Sequence, residues 1–257
     1  MTSRTLQWID AGENFPCVDD AWGIKDPAPG LLVAGGALDV DSLIDAYSRG
    51  IFPWFSEGQP ILWWSPDPRA VLKTKDFKLH RSLRKSLKNF LLDARCEIKF
   101  DSSFRQVIEN CAYKSRLGQP GTWIVADMIE AYCALHKAGH AHSIETWING
   151  ELAGGLYCVN LGRMVFGESM FSHQTDASKI ALTALVAFCR VNHIPMIDCQ
   201  QHTQHLESLG STRISRVDFV KHLAQSVGES PPLWHFESVY WNEILKGTTT
   251  SAPRATP

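Results

Sequence analysis

No run of apolar residues in this 257-residue chain approaches the about 20 needed to span a bilayer, so a membrane protein is not expected. The opening stretch, MTSRTLQWIDAGENFP, lacks the apolar core of a signal peptide, which points to the cytoplasm. Its cysteines, Cys17, Cys96, Cys111, Cys133, Cys158, Cys189 and Cys199, form no CxxC pair and are odd in number. That excludes a disulfide framework and fits reduced thiols. A large excess of charge is missing too: the net charge is −2, which gives no global signal for nucleic acid. No internal repeat is visible. What remains, 44% hydrophobic and 20% charged residues, is ordinary for a globular chain able to bury a full core.

Locally the sequence is less ordinary. In Gly50–Leu72, GIFPWFSEGQPILWWSPDPRAVL, the rings of Phe52, Trp54, Phe55, Trp63 and Trp64 alternate with Pro53, Pro60, Pro66 and Pro68. Proline fixes φ and cannot donate to a ladder, so most of this segment is expected to be irregular. Large rings on stiff backbone suit the wall of a binding site, because presenting them costs little entropy. A hydrophobic plug seating a small N-terminal domain on the rest is the competing reading. A domain boundary falls near Pro66–Pro68, giving a small domain over 1–67, a larger one over 68–244 and a disordered tail over 245–257.

Charge is uneven as well. Between Arg69 and Lys88 the cations Arg69, Lys73, Lys75, Lys78, Arg81, Arg84, Lys85 and Lys88 face a lone acid, Asp76. A helix is expected over 82–92, with Leu83, Leu87, Phe90 and Leu91 on one side. Arg81, Arg84, Lys85 and Lys88 then share the other side at i, i+3, i+4, i+7. A solvated helix face normally carries acids at i±4, and here there are none. Uncompensated cations in an acidic chain favour a polyanion as partner.

The remaining periodicities predict helices over 40–49, 103–112, 127–139 (capped by Asp127), 176–192, 202–209 and 217–226. Strands are expected over 70–72, 96–100, 143–148, 151–160, 163–170, 194–198 and 212–216, with Asn149-Gly150 a tight hairpin turn. The 118–121 segment reads as a Gly/Gln/Pro loop.

GIFPWFSEGQPILWWSPDPRAVL, GTWI at 121–124, GHAHSIETW at 139–147, FGESMFS at 166–172 and IDCQ at 197–200 occur in that order. Together they make the chain resemble the leucyl/phenylalanyl-tRNA–protein transferase family over roughly residues 29 to 220. The resemblance implies an α+β protein: a small N-terminal domain, then a larger GNAT-like (N-acetyltransferase-like) domain with a mixed, mostly antiparallel sheet. An antiparallel meander followed by helix, strand, helix and strand is the order such a domain requires, although fold alone does not carry function. The resemblance also implies transfer of Leu (also Phe, and Met) from aminoacyl-tRNA to the α-amine of proteins beginning with Arg or Lys, which marks them for N-end-rule degradation.

Glu168 on the last meander strand, with Asp198 and Gln200 on the next, falls where strand ends splay in this fold. Acids inside apolar strands are uncommon unless paired or functional. Leu156, Val165 and Ile197 nearby are candidates for a pocket taking the Leu or Phe side chain. The aminoacyl ester is already activated, and an α-amine has a pKa of about 7.7–8.0, so freeing it at pH 7 costs only about 1–1.5 kcal/mol. Positioning can supply about 7–11 kcal/mol and should dominate.

The resemblance assigns Asp198 to hold Gln200 and receive a proton, and Gln200 to bond the amine. It gives Glu168 the cation of the acceptor, and Tyr47 the ribose or phosphate. Trp54, Trp64 and Trp123 are to stack on the terminal adenosine, and Arg81, Arg84, Lys85 and Lys88 to meet tRNA phosphates.

Other chemistries fare worse. Ser172–Ala177, where an acetyltransferase cradles pyrophosphate, has no glycine and carries Asp176, so no acetyl-CoA is expected. Gly167–Phe171 lacks the second glycine of a serine-hydrolase elbow. Cys199 with His202 or His205 has no partner at metal spacing; neither a metal nor an organic cofactor is required. His140 and His142 read as structural. A non-catalytic reader of basic N-termini or of tRNA 3′ ends remains as the alternative, against which Asp198, Gln200 and Glu168 together favour an enzyme.

Overall fold

A computed structural model describes residues 5–113 and 124–245; Trp123, the 118–121 loop and the tail from Gly247 lie outside the described residues. The N-terminal part holds β1 (Gln7–Ile9), β2 (Leu31–Gly35), α1 (Val40–Ser48), β3 (Phe52–Pro53) and β4 (Leu62–Trp64). Its sheet runs β1-β2-β4-β3. The aromatic–proline segment is thus less irregular than its prolines suggest. Pro53 sits in the edge strand, where no ladder donor is needed, and Pro60 and Pro66 fall just outside β4. Helix α1 starts where Asp39 accepts the Ser42 N–H at 2.7 Å and stops before Gly50, which takes φ +79°.

The larger part contributes β5 (Arg69–Lys73), α2 (Arg81–Leu92), β6 (Cys96–Phe100), α3 (Phe104–Tyr113) and α4 (Ala126–Lys137). The meander follows as β7 (Ala141–Ile148), β8 (Glu151–Leu161) and β9 (Met164–Ser172). Then come α5 (Ala177–Val191), β10 (Met196–Gln200), α6 (Gln204–Ser208), β11 (Thr212–Ile214), α7 (Arg216–Ser226) and α8 (Asn242–Leu245). The seven-stranded sheet is ordered β11-β5-β10-β9-β8-β7-β6. Within this sheet, among the described residues, only β9 and β10 pair in parallel; its other ladders are antiparallel. This is the α+β, GNAT-like arrangement with an N-terminal sheet added.

Of three further features, only the second overturns an expectation from the sequence. Strand β5, the first strand of this sheet in chain order, inserts between β10 and β11. Asp127 does not cap α4: Val125 holds that position without a side-chain bond, and Asp127 lies in the first turn, where its charge suits the helix dipole. Beyond α7 the chain is ordered through 245, and Trp234 stacks on His142 with centroids 3.9 Å apart while its indole N–H meets Asn160 at 3.1 Å. No periodicity marks that strap, because single rings anchor it.

Strand alternation divides the core into two layers. Val71, Tyr157, Val159, Met164 and Phe166 face α1, α3, α4 and the N-terminal sheet. Leu72, Leu156, Cys158, Val165 and Ile197 face α2, α5 and α8. Two bulges interrupt the alternation at one place. In β9 Glu168 is the extra residue, since Gly167 and Ser169 oppose Cys158 and Tyr157. In β10 Cys199 is the extra one, between Asp198 and Gln200. The two strands pair only through Val165–Ile197 and Phe166–Asp198 and then separate.

Candidate active site

Bulges re-aim side chains, and these two aim Glu168 and Gln200 at each other. Oε1 of Glu168 accepts from the Tyr47 hydroxyl at 2.8 Å and from the Gln200 side-chain amide at 3.0 Å. Oε2 receives the Tyr132 hydroxyl at 3.4 Å, and the two phenols touch at 2.5 Å. Burial pushes the Glu168 carboxyl up to about 8, against the lowering hydrogen bond from Tyr47; the Asp198 charge adds to the rise. Both phenols are pushed well above their ordinary range, by burial first and the Glu168 charge second. A carboxyl that titrates near the value of a protein α-amine is placed for proton exchange with one.

Asp198 is held differently from the sequence expectation. It is 0% exposed and gripped by an equally buried Arg69, with Nε at 2.9 Å from Oδ1 and Nη2 at 2.7 Å from Oδ2. Its Oδ1 also accepts the main-chain N–H of Gln200 at 3.0 Å. Asp198 thus meets Gln200 through the backbone and not through the side-chain amide, and both of its oxygens are engaged. Arg69, the first cation of the 69–88 run, is thus buried and paired, apart from the exposed cations of that run.

Above this pair opens a cleft of about 470 Å³, lined by Pro27–Pro29, Trp54, Trp64, Pro66, Pro68 and Gln200–His202. Trp54 and Trp64 meet at 5.2 Å between centroids, and the Trp64 indole N–H bonds the Trp54 carbonyl at 2.7 Å. Trp63, between them in sequence, points inward: it is buried, donates to the Gly35 carbonyl at 2.9 Å and packs edge-on against Phe15. Phe52, Phe55 and Trp63 pack into the core, whereas Trp54 and Trp64 line the cleft.

Tyr47 is fully buried with its hydroxyl on Glu168 and Tyr132, so it is turned away from any ribose or phosphate in the cleft. Leu156, Val165 and Ile197 lie beneath α5, on the far side of the sheet from the Glu168 carboxylate and next to the gap between β9 and β10. On α2, Leu83, Leu87 and Phe90 dock as expected, Arg81, Lys85 and Lys88 are exposed, and Arg84 is half-buried. Leu91, expected on the docked side, is exposed. Cys199 points to the Ile197 carbonyl in the α5 layer. Among the described residues no group of three or more His, Cys, Asp or Glu is arranged to hold a metal ion. Tyr132 was missed, because an interior helix tyrosine carries no local signal.

The sequence itself decides the family. Models of the leucyl/phenylalanyl-tRNA protein transferase and of its N-terminal domain match residues 71–224 and 36–67. The chain belongs to this family. It is a transferase enzyme. The leucyl/phenylalanyl-tRNA–protein transferase of Polaromonas sp. is 67% identical over 250 residues, spanning 97% of this chain and 98% of its own. That of Albidiferax ferrireducens is 57% identical over 240 residues, spanning 93% and 94%. Among solved structures, L-PGS from Bacillus licheniformis superposes with a TM-score of 0.37 at 10% identity, over 65% of this chain and 54% of its own. That likeness is too slight to add to the topology.

Proposed function

We propose that this family member moves leucine, and also phenylalanine or methionine, from aminoacyl-tRNA to the α-amine of cytoplasmic proteins beginning with arginine or lysine, marking them for N-end-rule degradation. The observation that carries the proposal is the Gln200–Glu168 contact, made where β9 and β10 part beneath Trp54 and Trp64. The terminal adenosine stacks on the two indoles, and the aminoacyl side chain enters the gap between the strands toward Leu156, Val165 and Ile197.

The acceptor reacts as the neutral amine. The Gln200 amide nitrogen is committed to Glu168, which leaves its oxygen to accept from the amine. The nitrogen attacks the ester carbonyl carbon, the C–N bond forms and the bond to the ribose oxygen breaks. The N–H proton passes to Oε2 of Glu168, the less occupied oxygen, and from there to the leaving ribose oxygen. Glu168 returns to its starting state, and the products are an amide and a free tRNA. The bulk of the rate enhancement comes from holding amine and ester together. What speaks against coenzyme A as a substrate is the Asp176 carboxylate, bonded to Ser86 and Lys179 at the N-terminus of α5, whose charge would repel a pyrophosphate there.

Radiolabelled leucyl-tRNA incubated with short peptides tests this. Label should enter peptides starting with Arg or Lys, and be lost after ribonuclease treatment of the donor. Peptides acetylated at the N-terminus or starting with a neutral residue should stay unlabelled. Equal labelling of neutral and basic peptides would overturn the assigned acceptor class.

A further inference from the structure

We propose that Arg69 is a positioning residue of the transfer reaction: by gripping Asp198 it holds the main chain of Gln200 in the conformation that aims its amide at Glu168. The proposal rests on the roles given to Gln200 and Glu168 above.

Gln200 takes φ +52°, a left-handed conformation that a residue with a side chain adopts only when its surroundings enforce it. Its main-chain N–H is tied at 3.0 Å to Oδ1 of Asp198, the oxygen that Nε of Arg69 also holds at 2.9 Å. Any rotation of the Asp198 carboxylate therefore moves the anchor of Gln200. Arg69 removes that freedom, because its planar fork engages both oxygens at once, which a lysine cannot do.

Arg69 is itself fixed from three sides. Nη1 donates to the Gly50 carbonyl at 3.0 Å, and the guanidinium lies 4.9 Å from the Phe52 ring and 4.5 Å from the Phe219 ring. Gly50 follows α1, Phe52 is in β3, and Phe219 is on α7, so the N-terminal sheet and the last long helix converge on one side chain. The approach is close: a Cβ on Gly50 would stand 3.0 Å from the Phe219 ring. A fully buried ion pair is a poor device for stability alone, since well-packed apolar residues often do as well. Here the pair fixes a geometry that apolar packing would leave free.

The test is steady-state transfer from leucyl-tRNA to an Arg-starting peptide. Arg69→Lys should lower kcat about 10- to 100-fold, the scale expected when a reacting group is displaced by about 1 Å, with KM for leucyl-tRNA within about twofold. The Arg69→Lys/Gln200→Ala double variant should be no slower than Gln200→Ala, because the route from Arg69 to the reaction runs through Gln200. A kcat within threefold of the wild type, or losses that multiply in the double variant, overturns the proposal. Should Arg69→Lys fail to fold, Phe219→Leu keeps the ion pair but loosens the guanidinium. Its loss of kcat should likewise vanish in the Gln200→Ala background, and a loss that persists there overturns the proposal. A wild-type protein with no transfer activity contradicts the proposed function instead, so the two failures are distinct.

Discussion

Gln200 and Glu168 meet at 3.0 Å across two strands that have already stopped pairing. Each is delivered by a bulge in its own strand, and Gln200 also lines the tryptophan-walled cleft. A contact made between open strand ends has no ladder to hold it and depends on the groups around it: Tyr47 and Tyr132 on Glu168, and the Asp198 carboxylate on the Gln200 main chain. It is accordingly sensitive to single substitutions that leave the fold intact.

Gln200→Ala removes the amide from this contact without leaving a buried charge. Turnover should fall about 10²-fold, as for a comparable misplacement of a reacting group, while KM for aminoacyl-tRNA stays within a few-fold. Steady-state kinetics separate the two, and an equal effect on kcat and KM would mark Gln200 as a uniform binding group.

Asp198→Ala behaves differently, because it strands the buried Arg69 guanidinium. A loss of about 3–5 kcal/mol in unfolding free energy is expected, with activity lost through instability as well as geometry. Urea denaturation measures it; a stable, inactive Asp198→Ala would show that the ion pair matters to the reaction alone.

The tryptophans should separate by face. Trp54→Ala is expected to weaken aminoacyl-tRNA binding by about 1–3 kcal/mol with little change in melting temperature. Trp63→Ala should cost about 3–5 kcal/mol of stability, as for other buried aromatic truncations. Binding titrations and thermal melts on the same two proteins decide between these outcomes.

Charge reversal at Lys85 and Lys88, both exposed on α2, should weaken tRNA binding and flatten its dependence on salt, as fewer counterions are released. Transfer from a minimal aminoacyl-adenosine donor should be unchanged. An equal loss with the minimal donor would place α2 in the catalytic fold and not on the RNA.

Glu168 also sets a pH dependence of stability. Its folded value of about 8 lies above the ordinary 4.5, so its contribution is complete below the ordinary value and is lost as the pH rises through about 8. The melting temperature of the wild type should therefore fall relative to Glu168→Gln between pH 5 and pH 8.5. A constant difference across that range would contradict the raised carboxyl.

Much of this site was legible in the chain. The motif residues Glu168, Asp198 and Gln200 come together, and most of the strands and helices lie within a few residues of their periodicity. The roles were harder to read. Arg69 looks like one more cation in a basic run, and only the insertion of β5 beside β10 brings it to Asp198. Tyr47 carries no mark of which way its hydroxyl points, and Tyr132 is 85 residues away from it in sequence. The layer to which Leu156, Val165 and Ile197 belong depends on register and on two bulges, neither of which hydrophobic pattern encodes. Local chemistry singled these residues out; long-range pairing decides what each one touches.

The most direct test of the account is the pH dependence of kcat/KM for transfer from leucyl-tRNA to an Arg-starting peptide, in the wild type and in Glu168→Gln. With Glu168 exchanging the proton, the wild type needs both an ionised carboxylate and a neutral amine. Its logarithmic profile should then approach a slope of two below pH 7 and level off above about pH 8. Glu168→Gln should lose about 10²–10⁴ in rate, the usual worth of a general base, and keep only the amine's slope of one. A Glu168→Gln enzyme with near-normal rate and an unchanged profile would contradict the central role given to this carboxylate.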